Sequence, residues 1–235
     1  MGYNPALKGS VYSAPYKEAA RLLVANLAIS QIFHKPSLNV LTLPGTVYRL
    51  ESHLHQEAVR SGIDIQFTFV EDNPKTDIES AMPSELIPHS YVIRGDVDCY
   101  LCATSDQFDL VYLDYCGPLT DEHKVVIYKS RRYLRSPGVL AATFSLARVG
   151  QPKKGEKAVL GQIREMLPTS EFSRGSMFEY DDARWSPSHK ASRMGLFTSV
   201  RGFVEPIHRP ISVVHRTSCL PASVPPSSFA LPLAA

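Results

Sequence analysis

The chain has 235 residues, 44% of them hydrophobic and 20% charged, with 25 Lys and Arg against 23 Asp and Glu for a formal net charge of +2. That length buries one substantial core, and the composition is far from the polar, highly charged signature of disorder. The near balance of charge excludes a strong overall attraction to nucleic acid or to an anionic membrane, so any basic surface must be local.

The opening stretch to Ser13 is rich in Gly, Pro, Ser and Asn, and Pro15 then suits the first turn of a helix running from Tyr16 to about Phe33. Asn26, Ser30 and Gln31 interrupt the apolar run of this helix, so it falls short of the ~20 apolar residues that cross a bilayer. Leu38–Leu43 is a short apolar run closed by Pro44-Gly45, the pattern of a buried parallel strand. Thr46 follows as a candidate cap, with Val47, Leu50, Leu54 and Ala58 at helical spacing and Ser61-Gly62 as the stop. Ile63–Val70 reads as a second strand ending in Glu71-Asp72.

Residues 75–90 hold Pro83 and Pro88 and no sustained period, which predicts an irregular or short helical connection. Tyr91–Ile93 is the third strand, turning at Arg94-Gly95-Asp96, and Phe108–Leu113 is the fourth, turning at Asp114-Tyr115-Cys116-Gly117-Pro118. Thr120 caps a helix with acids in its first turn and Lys129, Arg131, Arg132 and Arg135 towards its end. Ser136-Pro137-Gly138 stops it before a fifth strand, Val139–Ser145. A helical pattern over Lys157–Leu167 and strands at Ser176–Tyr180 and Met194–Val204 complete the order.

Strands alternating with helices predict a doubly wound α/β fold, a mainly parallel seven-stranded sheet flanked by helices with an antiparallel C-terminal pair. The organisation expected is an N-terminal helical segment over 1–37, a Rossmann-like domain over 38–207 and a Pro- and Ser-rich flexible tail over 208–235.

Such sheets bind ligands outside the carboxyl ends of their strands. Leu43, Pro44 and Gly45 lie at the first of these ends, where a glycine permits a tight turn and the next helix offers free N–H groups. Glu71, with Asp72 as fallback, lies at the second, placed to accept hydrogen bonds from a ribose. Gly95-Asp96 lies at the third, where the acid could meet an adenine amino group or simply cap the helix.

Taken in order, these segments resemble class I S-adenosylmethionine-dependent methyltransferases. LNVLTLPG is similar to the family's cofactor loop, FTFVED to its ribose acid, RGD to its adenine-side turn and FDLVYLDYCG to its catalytic-edge strand. The resemblance implies S-adenosylmethionine as cofactor, with Leu43, Pro44, Gly45, Glu71, Asp72, Gly95, Asp96 and Asp114 around it. Asp114-Tyr115-Cys116-Gly117 further resembles the turn of enzymes that methylate exocyclic amines of nucleic-acid bases. That implies Asp114 as acceptor of the target amine and Tyr115 as stacking platform, both catalytic, with Tyr115, Cys116 and Gly117 towards an RNA or DNA substrate, and separately Lys153 and Lys154, part of a basic cluster, could bind its phosphates. The chain departs from the family in carrying Thr42 where an acid is usual and a single glycine, Gly45, in the loop; Glu51 is a candidate replacement for the acid.

A methyltransferase-fold protein that has lost its cofactor and binds nucleic acid or protein is the alternative, and a nicotinamide-dependent oxidoreductase is a third reading, weakened by the absence of Gly-x-Gly-x-x-Gly. Cys99 and Cys102 have metal-like spacing but no second pair, so they are expected to pack near the third helix, and no metal is expected. The four scattered cysteines, with Cys116 and Cys219, and the lack of a secretory leader suggest a reducing, cytoplasmic compartment. Oligomeric state is not legible.

Overall fold

The structure, a computed structural model, describes residues 15–44, 48–145, 161–163, 165, 167, 172, 176–182 and 192–202. All of them fall in one unit, Met1–Phe203; a second unit, Val204–Ala235, contains the expected flexible tail, which lies outside the described residues.

Helix α1 (Pro15–Ile32) leads into strand β1 (Ser37–Thr42), helix α2 (Arg49–Ser61) and strand β2 (Asp64–Glu71). Turns and a short 3-10 segment at Ile87–His89 then reach β3 (Ser90–Arg94), as the proline-broken pattern predicts. Helix α3 (Val97–Ala103), β4 (Phe108–Pro118), α4 (Asp121–Tyr133), β5 (Leu134–Ser145), β6 (Ser176–Asp182) and β7 (Ser192–Arg201) follow. The seven strands form one sheet in the order β3-β2-β1-β4-β5-β7-β6. Strands β1 to β5 run parallel. Strand β7 lies antiparallel to both β5 and β6, so the predicted architecture, C-terminal pair included, is the one observed.

Alternation of side chains along the strands divides the core between the two faces of the sheet. Val40, Phe67, Phe69, Leu110 and Val139 point to one face, where they meet Ala20, Val24, Ala25 and Ala28 of α1 and Leu50, Leu54 and Ala58 of α2. Leu41, Val70, Val111, Leu113 and Leu140 point to the other, against Val97 and Leu101 of α3 and Val126 and Ile127 of α4. Five residues of α1, Ala20, Val24, Ala25, Ala28 and Ile32, are buried in this cluster, so α1 is part of the core.

Three departures from the expected boundaries bear on the carboxyl and amino edges of the sheet. Helix α2 starts at Arg49, with Tyr48 as its N-cap residue in the left-handed region at φ 47. The packing of Tyr48 holds this backbone: its ring lies edge-on to Phe69 and its hydroxyl donates to the Ile78 carbonyl at 2.6 Å. Thr46, the expected cap, lies outside the described residues. Strand β4 does not end at Leu113; it continues through the expected Asp114–Pro118 turn, because β5 offers partners as far as Ser145, with a break in register between Asp114 and Pro118. Nor does Ser136-Pro137-Gly138 separate α4 from a later strand, since β5 begins at Leu134, pairing with Phe108, immediately after the helix.

At the amino edge of the sheet, the fully buried Asp109 accepts from Lys35 at 2.6 Å, from Arg135 at 3.0 Å and from the Asn39 backbone N–H at 2.8 Å. This ties the end of α1 to β1, β4 and β5 at the edge opposite the one where ligands are expected.

Candidate functional site

The strand order reverses between β1 and β4, the switch point where the carboxyl ends of a doubly wound sheet part to form a crevice. A cleft of about 600 Å³ opens there, within the range of small-molecule sites. Of the residues expected at a cofactor, it is lined by Leu43, Glu71, Asp72, Gly95, Asp96 and Asp114, joined by Tyr115. Pro44 is buried and off the lining, while Gly45, Lys153 and Lys154 lie outside the described residues. Cys116 and Gly117 fall on the extension of β4.

Glu71 is the last residue of β2, and the chain beyond it turns so that the Asn73 backbone N–H donates to Glu71 Oε1 at 2.9 Å. This local bond fixes the carboxylate at the cleft wall. Just beyond β3 the backbone N–H of Gly95 donates to the Glu71 carbonyl at 3.1 Å, which brings the second and third turns together. Gly95 has φ 152, and a Cβ built on it meets nothing within 4 Å, so the wall is open where the chain passes. Asp96 caps α3: its Oδ1 accepts from the backbone N–H groups of Asp98 at 2.7 Å and Cys99 at 3.1 Å. The cap reading of Asp96 is therefore realised, with the carboxylate still on the cleft wall.

Tyr115 stacks on His123 with ring centroids 3.9 Å apart and planes 19° from parallel. His123 is held by a capping box at the start of α4, its Nδ1 accepting from the Thr120 N–H and its own N–H donating to Thr120 Oγ1. Burial, with Asp96 and Asp98 nearby, raises the pKa of the Tyr115 hydroxyl and keeps it protonated. That hydroxyl is buried and has no hydrogen-bond partner among the described residues. A buried donor without an acceptor costs about 1–3 kcal/mol, and Tyr115 is one of the residues that line the cleft.

Behind the cleft lies a buried polar group that the sequence pattern only partly signalled. Asp114 is paired through Oδ2 with the Arg21 guanidinium at 3.2 Å, both side chains only 5% exposed. Its Oδ1 accepts a short hydrogen bond from Thr143 Oγ1. Burial opposes the charge of Arg21, but Asp114, Tyr112, Glu51 and Glu18 outweigh it and raise its pKa. Glu51, on α2, reaches the same region, fully buried; desolvation raises its pKa against the pull of Thr42 and Arg21. Thr42 Oγ1 is buried nearby without a well-formed hydrogen bond of its own. Arg21 and Thr143 lie 93 and 29 residues from Asp114 in the chain, and no local motif announces either.

The cleft wall is strongly acidic, carrying Glu71, Asp72, Asp96, Asp98, Asp114 and Glu122. Lys129 pairs with both oxygens of Asp98, at 2.6 and 2.9 Å. Cys99 and Cys102 do not pack under α3 as expected. Both are exposed, because α3 turns Val97 and Leu101 to the core and the cysteines outward.

No protein-family model matches the sequence, and neither does any curated protein. Solved structures do match. A Listeria monocytogenes protein described as a class I S-adenosylmethionine-dependent methyltransferase is 14% identical, with a TM-score of 0.57 over 88% of this chain and 64% of its own. A Klebsiella pneumoniae protein described as an O-methyltransferase is 12% identical, with a TM-score of 0.52 over 86% of this chain and 92% of its own. The plantazolicin methyltransferase BamL, solved with SAH and a triazolic desmethylPZN analogue, is 9% identical, with a TM-score of 0.51 over 84% of this chain and 90% of its own.

The chain has the class I methyltransferase fold. Within this fold the cleft occupies the carboxyl edge, and its acidic wall, with Glu71 closing β2 and Gly95-Asp96 following β3, suits a cationic, hydroxyl-bearing ligand. No helix among the described residues is long and apolar enough to cross a membrane, and none of them form a cluster of three or more metal-ligating side chains.

Proposed function

We propose that the protein is an S-adenosylmethionine-dependent methyltransferase. The single observation that carries this reading is the cleft at the switch point, bordered together by Glu71, Gly95, Asp96, Asp114 and Tyr115. Leu43 approaches the methionine end, Glu71 accepts from the ribose hydroxyls, and Gly95-Asp96 meets the adenine edge. When bound, the cofactor supplies a methyl carbon already activated by its positive sulfur, so the protein's task is to hold an acceptor atom in line with that carbon and to exclude water.

The acceptor favoured is an exocyclic amine of a nucleic-acid base. Tyr115 and His123 form a stacked aromatic pair that a planar base can extend. Asp114 is held at both oxygens, and a carboxylate offers about four lone-pair positions, so it can still accept from an amine. A wall of carboxylates repels phosphates, so the base enters the cleft while the backbone stays outside, where Lys153 and Lys154 are proposed to meet it.

Calorimetry with S-adenosylmethionine and with its demethylated product tests the cofactor assignment: one saturable site per chain is expected, and no heat with either ligand overturns it. Incorporation of a labelled methyl group into RNA or DNA tests the substrate, and transfer to protein alone overturns the nucleic-acid assignment.

A further inference from the structure

The N-terminal helix carries a buried charge that the core does not require. Arg21 sits on α1 among Ala20, Val24 and Ala25, and it is 4% exposed. Burying a guanidinium is costly unless it is paired, and a residue at this depth would ordinarily be apolar. Its strongest attraction is to Asp114, whose side chain is equally buried yet borders the cleft. Glu18, one turn earlier on α1, lies 3.6 Å from the same guanidinium and adds a second negative charge beside it. Thr143, directly across from Asp114 on β5, holds the other carboxylate oxygen. The carboxylate is thus gripped from a helix outside the sheet and from the neighbouring strand.

We propose that Arg21 is a positioning residue of the cleft, holding the Asp114 carboxylate in one orientation and one charge state and so making α1 part of the active site. The proposal rests on the reading of the cleft as a cofactor and acceptor site, but its physical content concerns only two residues of this chain. A guanidinium 3.2 Å from a carboxylate in a poorly solvated setting stabilises the ionised form. Withdrawing it must make Asp114 take up a proton at higher pH, and a protonated Asp114 no longer accepts from an amine on that oxygen.

The test compares the full chain with Arg21→Gln and Arg21→Lys. Carboxyl carbon NMR of the ligand-free proteins follows the titration of Asp114, assigned by its loss in Asp114→Asn. The midpoint is expected to move up by at least about one pH unit in Arg21→Gln, with Arg21→Lys in between. Calorimetry with S-adenosylmethionine across the same pH range is expected to show the acid limb of binding moving by the same amount, whereas a purely structural loss lowers affinity evenly at every pH. An unchanged Asp114 midpoint in folded Arg21→Gln, or equal midpoints for Gln and Lys, overturns the proposal. Should Arg21→Gln fail to fold, Arg21→Lys decides by the same titration: a wild-type midpoint overturns the proposal, and a raised one supports it. Should the wild-type protein bind no S-adenosylmethionine, the cofactor reading fails while the Asp114 titration still decides the role of Arg21.

Discussion

Glu71 is the residue on which the cofactor assignment turns. Its Oε1 is already oriented by the Asn73 N–H, and hydrogen bonds to a charged partner contribute about 1.5–3 kcal/mol. Glu71→Ala is therefore expected to weaken S-adenosylmethionine binding by about tenfold to a hundredfold in calorimetry. Glu51 belongs to the same scale and titrates against the usual direction for a carboxylate. Burial raises its folded pKa above the unfolded value of about 4.3, so its contribution to stability is complete below that value and is lost as pH rises towards the folded one. Glu51→Gln preserves the shape and removes the proton equilibrium. Melting temperatures of the two proteins should lie close together at acid pH and separate as pH rises, with the variant the more stable. At this scale the sequence was informative near the carboxyl ends of the parallel strands: Glu71 closes β2, Gly95 follows β3, and both line the cleft together with Asp114 of β4. Arg21 and Thr143 were not, because only the folded sheet brings them to Asp114.

The helices differ in how they begin, and the difference is testable. α4 opens on a reciprocal Thr120–His123 cap, and His123 in turn backs Tyr115. Thr120→Ala should cost about 1 kcal/mol in thermal or denaturant unfolding. Asp96 caps α3 and borders the cleft at once. Asp96→Asn keeps a capping oxygen, so it should retain stability while altering ligand affinity, and Asp96→Ala should lose about 1 kcal/mol as well. The two substitutions separate the cap from the ligand contact in paired unfolding and calorimetry measurements. The parallel strands were readable as continuous apolar runs because both faces are covered. The extension of β4 was not, since Asp114-Tyr115-Cys116-Gly117 has the composition of a turn and is drawn into the sheet only by pairing with β5. Likewise Ser136-Pro137-Gly138 has turn chemistry, yet it lies within β5 because Phe108 pairs with Leu134 ahead of it.

Across the whole molecule the two edges of the sheet divide the work. The amino edge is fastened by Asp109, gripped by Lys35 and Arg135, while the carboxyl edge holds the cleft. Asp109→Ala should cost about 3 kcal/mol, the low end for breaking a buried pair because Arg135 is partly solvated. Well below the melting point of this variant, where it is fully folded, its ligand affinity should be unchanged, since the damage lies at the far edge. The acidic cleft adds a second expectation: S-adenosylmethionine carries one more positive charge than its demethylated product, so added salt should weaken the cofactor more than the product. The most direct measurement is a crystal structure of the protein with S-adenosylhomocysteine. The account predicts the ligand in the cleft, its ribose on Glu71, its adenine beside Gly95 and Asp96 and its sulfur facing Asp114. A ligand bound elsewhere, or a saturated crystal with none in the cleft, would contradict it.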